Sequence, residues 1–468
     1  MKKILLFVSM LITGATLMQP INAARVPANM AAALKSDMLN SWQYLGQPGF
    51  SAGAATQLSL VLQPNGKPVV LFIDFDFDKK ASVMKFNGTA WEDAGIRGFS
   101  TAEAEEPSLA VSPSGELYAA YSDSPLIWKA TVMKFDGNSW VPLGNPGFSL
   151  SMIAYTSLVV SPAGVPYIAY QDAGAGYRAT VMKFDGTAWV NVGAPGFSAG
   201  AVAYTSLAFS PSGELYIVYS DIAYDNNIVV RKFNGTNWED VGNPGFANSA
   251  VAETRIAISP VNEPYVAFAA SNNHARVMKF DGSSWVMVGA PDCSAGDVAN
   301  INLLFSPSGQ PHISYVDYAN SMFATVMKFN GSDWLNVGPA GFTGTQAFYP
   351  SMGFDSLGTL YIAFQDSSYL DKASVMKFGS DASGIAGSSK ENMLVYPDPA
   401  TEKLTIDLQY LINSPERLEI FDVTGRMIYT IQNPEGKILL DVQNYPSGVY
   451  FIYVRTATGV IRTRFVRQ

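Results

Sequence analysis

Several residue types that support common functions are scarce in this 468-residue chain. Cys293 is the only cysteine, so an internal disulfide cannot form and stability must come from a packed core. The two histidines, His274 and His312, are not at a metal-ligand spacing, so the sequence predicts neither a metal site nor a cofactor. Lysine and arginine number 30 against 39 acidic residues, and basic runs are missing. The net charge of −9 therefore argues against nucleic acid as a partner.

A hydrophobic run long enough to cross a membrane is also missing. The apolar stretch at residues 4–18 is shorter than the roughly 20 residues that a spanning helix needs. It follows Lys2 and Lys3 and leads to the small residues Ala23 and Ala24. A charged start, a short apolar centre and a small-residue end indicate a secretory signal peptide at residues 1–24. We expect the mature protein to be soluble, outside the cytoplasm and without a transmembrane segment.

What the chain does contain is a long internal repeat. Seven of its eight tryptophans recur at intervals of 49 residues, once of 47: Trp42, Trp91, Trp140, Trp189, Trp238, Trp285 and Trp334. A Lys-Phe pair recurs in step with them, from Lys85 to Lys377. Each repeat holds four short β-branched or aromatic segments. Turn residues separate these segments, with Asn-Gly or Asp-Gly before most tryptophans. Four antiparallel strands per repeat, joined by tight turns, predict the blades of a β-propeller.

The two ends of the repeat region predict that the propeller is a closed ring. The first tryptophan segment, residues 41–46, has no Lys-Phe strand before it, and the last Lys-Phe strand has no tryptophan segment after it. Joining the two completes a seventh blade and removes an exposed sheet edge. The predicted fold is thus all-β: a seven-bladed β-propeller at residues 41–379, closed by an N-terminal strand, followed by a linker at residues 380–392 and a small β-sandwich at residues 393–468.

The tail carries four motifs in order. Residues 395–400 (Val-Tyr-Pro-Asp-Pro-Ala) precede Leu-Thr-Ile at 404–406, and the later motifs lie at residues 420–426, 445–451 and 462–468. Together they resemble the type IX (Por) secretion C-terminal sorting domain, with Asp398 where that family usually has Asn. Motif residues matched in this way include Pro397, Pro399, Gly425, Gly448 and Tyr450.

This resemblance implies a β-sandwich that the type IX machinery recognises through residues 393–468. It also implies a Gram-negative bacterium of the Bacteroidota, export across the outer membrane, removal of the tail, and then release or attachment to surface lipopolysaccharide. The expected location is therefore secreted or attached to the outer surface.

Candidate ligand-binding residues lie where two sets of loops share one face of the predicted ring. An aspartate ends the second strand of six blades, whereas blade five has Ala270: Asp74, Asp123, Asp172, Asp221, Asp317 and Asp366. A Gly-Phe-Ser-like segment crosses between blades, with Cys293 replacing the phenylalanine once. Two interpretations are open. The aspartates and aromatics form a ring that binds sugars or a cation, or the aspartates hold their loops and the phenylalanines fill gaps between blades.

Signals for catalysis are weak, and no catalytic residue is predicted. The propeller arginines occupy different repeat positions: Arg97, Arg178, Arg231, Arg255 and Arg276. Blade five is the irregular one, because it is two residues shorter and carries His274. We therefore predict a non-catalytic module that binds a glycan or a surface protein. The alternatives are an extracellular polysaccharide hydrolase or lyase that uses loop-face carboxylates, and a structural surface-layer component.

Overall fold

The computed structural model describes residues 41–379 except 248, together with 394–396, 400–408, 415–422, 427–456 and 459–467. They belong to two compact units that divide between residues 380 and 381. The predicted signal peptide and linker, and the motif residues Pro397, Pro399 and Gly425, lie outside the described residues.

The first unit consists of seven four-stranded antiparallel sheets, here called blades 1 to 7 in the order of their first strands. The first strands are Ala55–Leu62, Ala104–Val111, Ile153–Val160, Val202–Phe209, Ala252–Ile258, Val298–Phe305 and Ala347–Phe354. The second strands are Pro68–Asp74, Leu117–Asp123, Pro166–Asp172, Leu215–Asp221, Pro264–Ala269, Pro311–Asp317 and Leu360–Asp366. The third strands are Lys80–Phe86, Lys129–Phe135, Arg178–Phe184, Asn227–Phe233, Ala275–Phe280, Phe323–Phe329 and Lys372–Phe378.

Short fourth strands complete the blades, and single-turn 3₁₀ helices link most second and third strands. The fourth strands are Trp91–Asp93, Trp140–Pro142, Trp189–Asn191, Trp238–Asp240, Trp285–Met287, Trp334–Asn336 and, for blade 7, Trp42–Tyr44. The 3₁₀ helices are Phe75–Phe77, Ser124–Leu126, Ala173–Ala175, Ile222–Tyr224, Tyr318–Asn320 and Ser367–Tyr369.

The ring is closed, as the sequence predicted. Trp42–Tyr44 pairs antiparallel with Lys372–Phe378, with Trp42 opposite Phe378 and Tyr44 opposite Met376. The Tyr44 hydroxyl donates to Asp366 Oδ2 at 2.9 Å, within the same blade. First strands of neighbouring blades contact one another all the way round, including blade 7 with blade 1. The seven-bladed β-propeller is confirmed, and its first strands surround a central channel.

The core lies between adjacent blades, and the repeated tryptophan fixes each junction. All seven indole Nε1 atoms donate to a backbone carbonyl of the preceding blade at 2.7–2.8 Å, as Trp189 does to Leu143. Six of the indoles also stack on a crossing phenylalanine with ring centroids 3.9–4.8 Å apart: Phe342, Phe50, Phe99, Phe148, Phe197 and Phe246. The crossing phenylalanines therefore fill the gaps between blades.

Two local features of the blades depart from plain hairpins and regular strands. The Asn-Gly and Asp-Gly turns lie in four-residue loops, as residues 87–90 do between the directly paired Phe86 and Trp91. Asn87 Oδ1 accepts from the backbone N–H groups of residues 89 and 90, and only Gly88 has a positive φ, of 117°. In addition, the first strand of blade 3 runs from Ile153, and a β-bulge between Ala154 and Ser157 interrupts its alternation.

The second unit is a small antiparallel β-sandwich. One sheet contains Leu394–Tyr396, Lys403–Asp407 and Lys437–Asp441, and the other contains Met427–Gln432, Pro415–Asp422, Gly448–Thr456 and Gly459–Arg467. Buried Leu404, Ile420 and Phe465, drawn from both sheets, pack in one cluster. Tyr450 stacks on Phe465 at 5.2 Å and donates its hydroxyl to the carbonyl of Pro446, so this motif residue supports the core.

Candidate binding site in the central channel

Each first strand carries a β-bulge near its start. The pairing with the second strand shifts register there in every blade, for example between Ala154 and Ser157. At each bulge one non-glycine residue has a left-handed backbone with φ of 51–57°: Gln57, Glu106, Tyr155, Tyr204, Glu253, Asn300 and Tyr349. We call these seven the bulge residues. Positive φ is unfavourable for residues with a Cβ, and such strain concentrates at functional sites.

The bulge residues surround a cavity of about 280 Å³ in the central channel. All seven line it, together with Thr156, Arg255 and Asn302 and three apolar residues. The start of each first strand lies opposite the end of the second strand, as Ala55 does opposite Asp74. The cavity is therefore near the face that carries the 3₁₀ helices and the crossings between blades, which is the loop face that the sequence singled out.

Four bulge residues have acceptor side chains, and each bonds the backbone of the next blade. Gln57 Oε1 accepts from the Glu106 N–H at 2.9 Å, and Asn300 Oδ1 accepts from Tyr349 at 3.2 Å. Glu253 Oε2 accepts from the N–H of Ile301 at 3.0 Å. Burial raises the pKa of the Glu106 and Glu253 carboxyls, while backbone N–H bonds and the Arg255 charge oppose the rise. These carboxylates thus join neighbouring blades.

A second channel position breaks the sevenfold pattern. Two residues after the bulge, five blades have a serine: Ser59, Ser108, Ser157, Ser206 and Ser351. Each serine Oγ accepts a backbone N–H from the next blade at 2.9–3.4 Å. Blades 5 and 6 have Arg255 and Asn302 instead. Asn302 donates to the carbonyls of Asn300 and Pro350. Arg255 thus replaces a short, bonded side chain with a long cation.

The groups that the channel leaves for a ligand are mostly donors. Among the described residues, the Arg255 guanidinium donates only to the Thr254 carbonyl, at 3.0 Å, and no carboxylate oxygen lies within 4.0 Å of it. Burial lowers the pKa of Arg255, and the charges of Glu253 and Glu106 raise it. Tyr155 and Tyr204 are 5.0 Å apart between ring centroids, and burial raises the pKa of both phenols. At neutral pH these phenols are protonated and can donate.

The six predicted aspartates lie at the loop face but are buried and bonded within their own blades. Five accept from the backbone N–H two residues on at 2.9–3.2 Å, and so cap the 3₁₀ helix. The sixth, Asp123, bonds the hydroxyls of Thr101 and Thr131 at 3.3 Å. Burial raises the pKa of Asp74 and Asp123. The geometry shows the loop-holding role; ligand binding by these residues stays a prediction.

The crossing segments contain a string that could be mistaken for a catalytic signature. Gly-Phe-Ser-Ala-Gly at residues 49–53 and 196–200 has the Gly-x-Ser-x-Gly form of a nucleophile elbow, which requires an exposed serine on a strand-to-helix turn. Here Ser198 is buried, accepts from the Ala179 N–H at 3.0 Å and donates to the Gly200 carbonyl at 2.8 Å. Ser51 makes the equivalent pair of bonds. Both serines anchor their crossings.

The irregular blade 5 gathers polar residues at its loop end. Asp292 accepts from Arg276 Nε at 2.7 Å and from Asn272 Nδ2 at 3.1 Å, and lies 3.5 Å from His274 Nδ1. Burial raises the pKa of Cys293 to about 12, so its thiol is unreactive at neutral pH. Within the described part of the chain, no group of three His, Cys, Asp or Glu side chains is placed to hold a metal ion.

Comparison with known families identifies the second unit. Residues 394–468 match the secretion system C-terminal sorting domain. The tail is a type IX sorting domain. This sorting domain implies export through the type IX system, contact with its machinery, and a secreted or cell-surface location. A search of curated proteins finds no match to the chain. None of the described helices is long and apolar enough to cross a membrane.

Solved structures similar to the chain are propellers. They include a protein of unknown function from Dyadobacter fermentans, with 11% identity, a TM-score of 0.45 and coverage of 73% of this chain and 98% of that one. An α-L-arabinofuranosidase from Fusarium graminearum has 12% identity, a TM-score of 0.44 and coverage of 73% and 98%. The SapL1 lectin, solved with α-methyl fucoside, has 15% identity, a TM-score of 0.42 and coverage of 63% and 97%. Similarities this low transfer no ligand or reaction to this chain.

Proposed function

We propose that this protein is a secreted or surface-displayed, non-catalytic binding module that holds a glycan residue in its central channel. The observation that supports the proposal is the ring of seven strained bulge residues around one cavity. A left-handed backbone at the same position of every blade persists only where the surrounding structure enforces it. The bulges place polar and aromatic side chains toward the axis of the ring.

The lining of the cavity suits a sugar. Tyrosine rings can pack on the apolar face of a pyranose, while hydroxyl, amide and guanidinium groups bond its hydroxyls. The volume of about 280 Å³ is just below the range of typical ligand pockets, which is roughly 300 to 1,000 Å³. A cavity of this size admits a terminal or single sugar residue and excludes a protein surface, so a glycan fits better than a protein ligand.

The proposal is tested by glycan-array binding followed by calorimetry. We expect binding to at least one glycan class, and Tyr155→Phe combined with Tyr204→Phe should weaken it about 3- to 10-fold for each hydroxyl bond lost. Tyr177→Phe is the matched control, because Tyr177 is a loop residue that is 52% exposed. Absence of binding across broad arrays contradicts the proposal.

The loop-face version, in which the repeated aspartates bind the ligand, makes a different prediction. Asp172→Ala combined with Asp221→Ala should then weaken glycan binding, although both carboxylates bond their own loops. If those substitutions lower the stability of the protein and leave its affinity for the glycan unchanged, the proposal that the glycan binds in the channel is retained.

A polysaccharide hydrolase or lyase is the second candidate, with the channel glutamates in place of loop-face carboxylates. The observation that favours it is that Glu106 and Glu253 both line the cavity, where burial raises the pKa of each carboxyl, as in known general acids. The test is turnover on a polysaccharide panel, with Glu253→Gln as the variant. Turnover that this variant abolishes supports an enzyme, and an inactive wild-type protein rejects it.

A further inference from the structure

The position two residues after the bulge is charged in one blade only, where it is Arg255. In five blades the serine there completes a bond to the neighbouring blade. At the junction of blades 5 and 6 the described residues form no such bond, because Arg255 does not bond blade 6; Glu253 bonds the Ile301 N–H there, as Glu106 bonds the backbone of blade 3. The arginine is therefore not needed to join the blades, and its guanidinium lies in the lining of the cavity.

The surroundings of Arg255 leave it open to a further partner. The guanidinium has five N–H donors, and the described residues accept from it once, at the Thr254 carbonyl. Neighbouring arginines differ: Arg231 and Arg276 bond Asp240 and Asp292, each at 2.7 Å. A half-buried guanidinium without a close carboxylate is unfavourable unless an anion or several acceptors complete its bonding.

The glutamates of the channel favour the charged form of Arg255 from a distance, but they do not bond its guanidinium. Glu253 and Glu106 lie more than 4.0 Å from the guanidinium, and their carboxylates accept backbone N–H groups of blades 6 and 3. Three tyrosines line the same cavity: Tyr155, Tyr204 and Tyr349. The described residues provide no hydrogen-bond acceptor for their hydroxyls, and Thr156 Oγ1 also has no partner among them, so the free groups of the cavity include one guanidinium and four hydroxyls.

We infer that the ligand of the channel is an acidic saccharide whose carboxylate or sulfate oxygens bind Arg255, with the tyrosine hydroxyls as further donors. The inference rests on the proposed glycan-binding function and specifies its ligand class. A planar guanidinium binds such oxyanions through two parallel N–H bonds, which gives both affinity and orientation.

The experiment measures, by calorimetry on the purified full chain, binding of acidic oligosaccharides and their neutral counterparts. One pair is an oligogalacturonide and its methyl ester, and the other is a sulfated oligosaccharide and its desulfated form. We expect the acidic member of at least one pair to bind about tenfold or more tightly, as expected for one charge-assisted bond pair. The pair that shows the difference identifies the anion as carboxylate or sulfate.

The variant that tests the role of the arginine is Arg255→Ser, which introduces the residue that five other blades have at this position. We expect it to fold and to lose the preference for the acidic member, whereas Arg255→Lys should retain part of the preference. Arg276→Ser is the control, because that arginine is paired with Asp292 outside the cavity. The wild-type comparison of acidic with neutral members stands even if Arg255→Ser fails to fold.

Two results would overturn the inference. One of them leaves the proposed glycan-binding function intact, and the other rejects that function as well. Equal affinity for acidic and neutral members, unchanged in Arg255→Ser, means that the ligand is a neutral glycan; the proposed function then survives. Absence of binding to every acidic and neutral oligosaccharide, and across glycan arrays, rejects both the ligand class and the binding function.

Discussion

At the level of single residues, the repeated tryptophan links one blade to the next by two different forces. Its indole N–H donates to a carbonyl of the preceding blade, and its ring stacks on the crossing phenylalanine in six of seven junctions. The hydrogen bond is buried or partly buried at every junction, so its loss leaves a carbonyl without a protein partner where water has limited access. The same residue that revealed the repeat in the sequence therefore also determines how closely blades approach.

Trp189→Phe tests this double role. The change removes the bond to Leu143 and part of the ring stacked on Phe148. We expect the free energy of unfolding to fall by about 2 kcal/mol, from the lost bond and the smaller ring. Urea denaturation measures it.

Trp128→Phe is the matched control, because Trp128 is the one tryptophan that does not recur between blades and its indole N–H has no partner among the described residues. Its effect should stay within about 0.5 kcal/mol. Equal decreases in the free energy of unfolding after both substitutions would mean that the hydrogen bond between blades adds no stability of its own.

At the level of secondary-structure elements, the loops after the 3₁₀ helices contain backbone strain. Their C-cap residues are left-handed, with φ from 53° to 74°, and blade 3 alone has a glycine there, Gly176. Blade 2 has Ile127, a β-branched residue with φ of 56° and 73% of its surface exposed. A β-branched residue is poorly suited to this backbone, whereas glycine adopts it without a steric penalty.

Ile127→Gly should therefore stabilise the protein. We expect the free energy of unfolding to rise by about 1 kcal/mol, because the left-handed penalty disappears and little buried surface is lost. Thermal unfolding measures the change.

Ile96→Gly is the control, since Ile96 is equally exposed, at 73%, and its φ is not positive. That change should destabilise the loop through the greater backbone freedom of glycine in the unfolded chain. Destabilisation by both changes would show that the strain at Ile127 is negligible.

At the level of the whole molecule, stability depends on closing the ring with three residues from its beginning. Trp42–Tyr44 completes blade 7, and Leu45 adds a backbone bond to Val375 at 2.8 Å. Without this strand, the third strand of blade 7 would become an exposed edge and the tryptophan junction between blades 6 and 7 would be lost.

Deletion of residues 41–46 should open this seam. We expect the free energy of unfolding to fall by at least about 3 kcal/mol, since the partly buried indole of Trp42 and a strand ladder disappear together. Amide hydrogen exchange should rise first in Lys372–Phe378. Deletion of six residues of the predicted linker, 381–386, is the control of equal length. An unchanged unfolding curve after the first deletion would show that closure does not support the ring.

The repeat and its turn chemistry were sufficient to predict the propeller, because each blade uses the same residues for the same contacts. The channel site was missed for a physical reason. A β-bulge shifts the inward-facing positions by one residue, and single-sequence alternation does not show where that shift occurs. The sequence nonetheless contained a signal for the site. The position two residues after the bulge is serine in five repeats, but it is Arg255 in blade 5 and Asn302 in blade 6. The aspartates attracted attention instead because they recur, and recurrence follows from their capping role.

The sequence by itself determined the number of blades, the closing strand and the sorting tail, since each depends on local patterns or on motifs that recur in order. Only the tertiary structure decided which side chains meet in the channel. Residues from seven blades, hundreds of positions apart in the chain, reach one cavity because the ring closes and every first strand bulges inward at the same height.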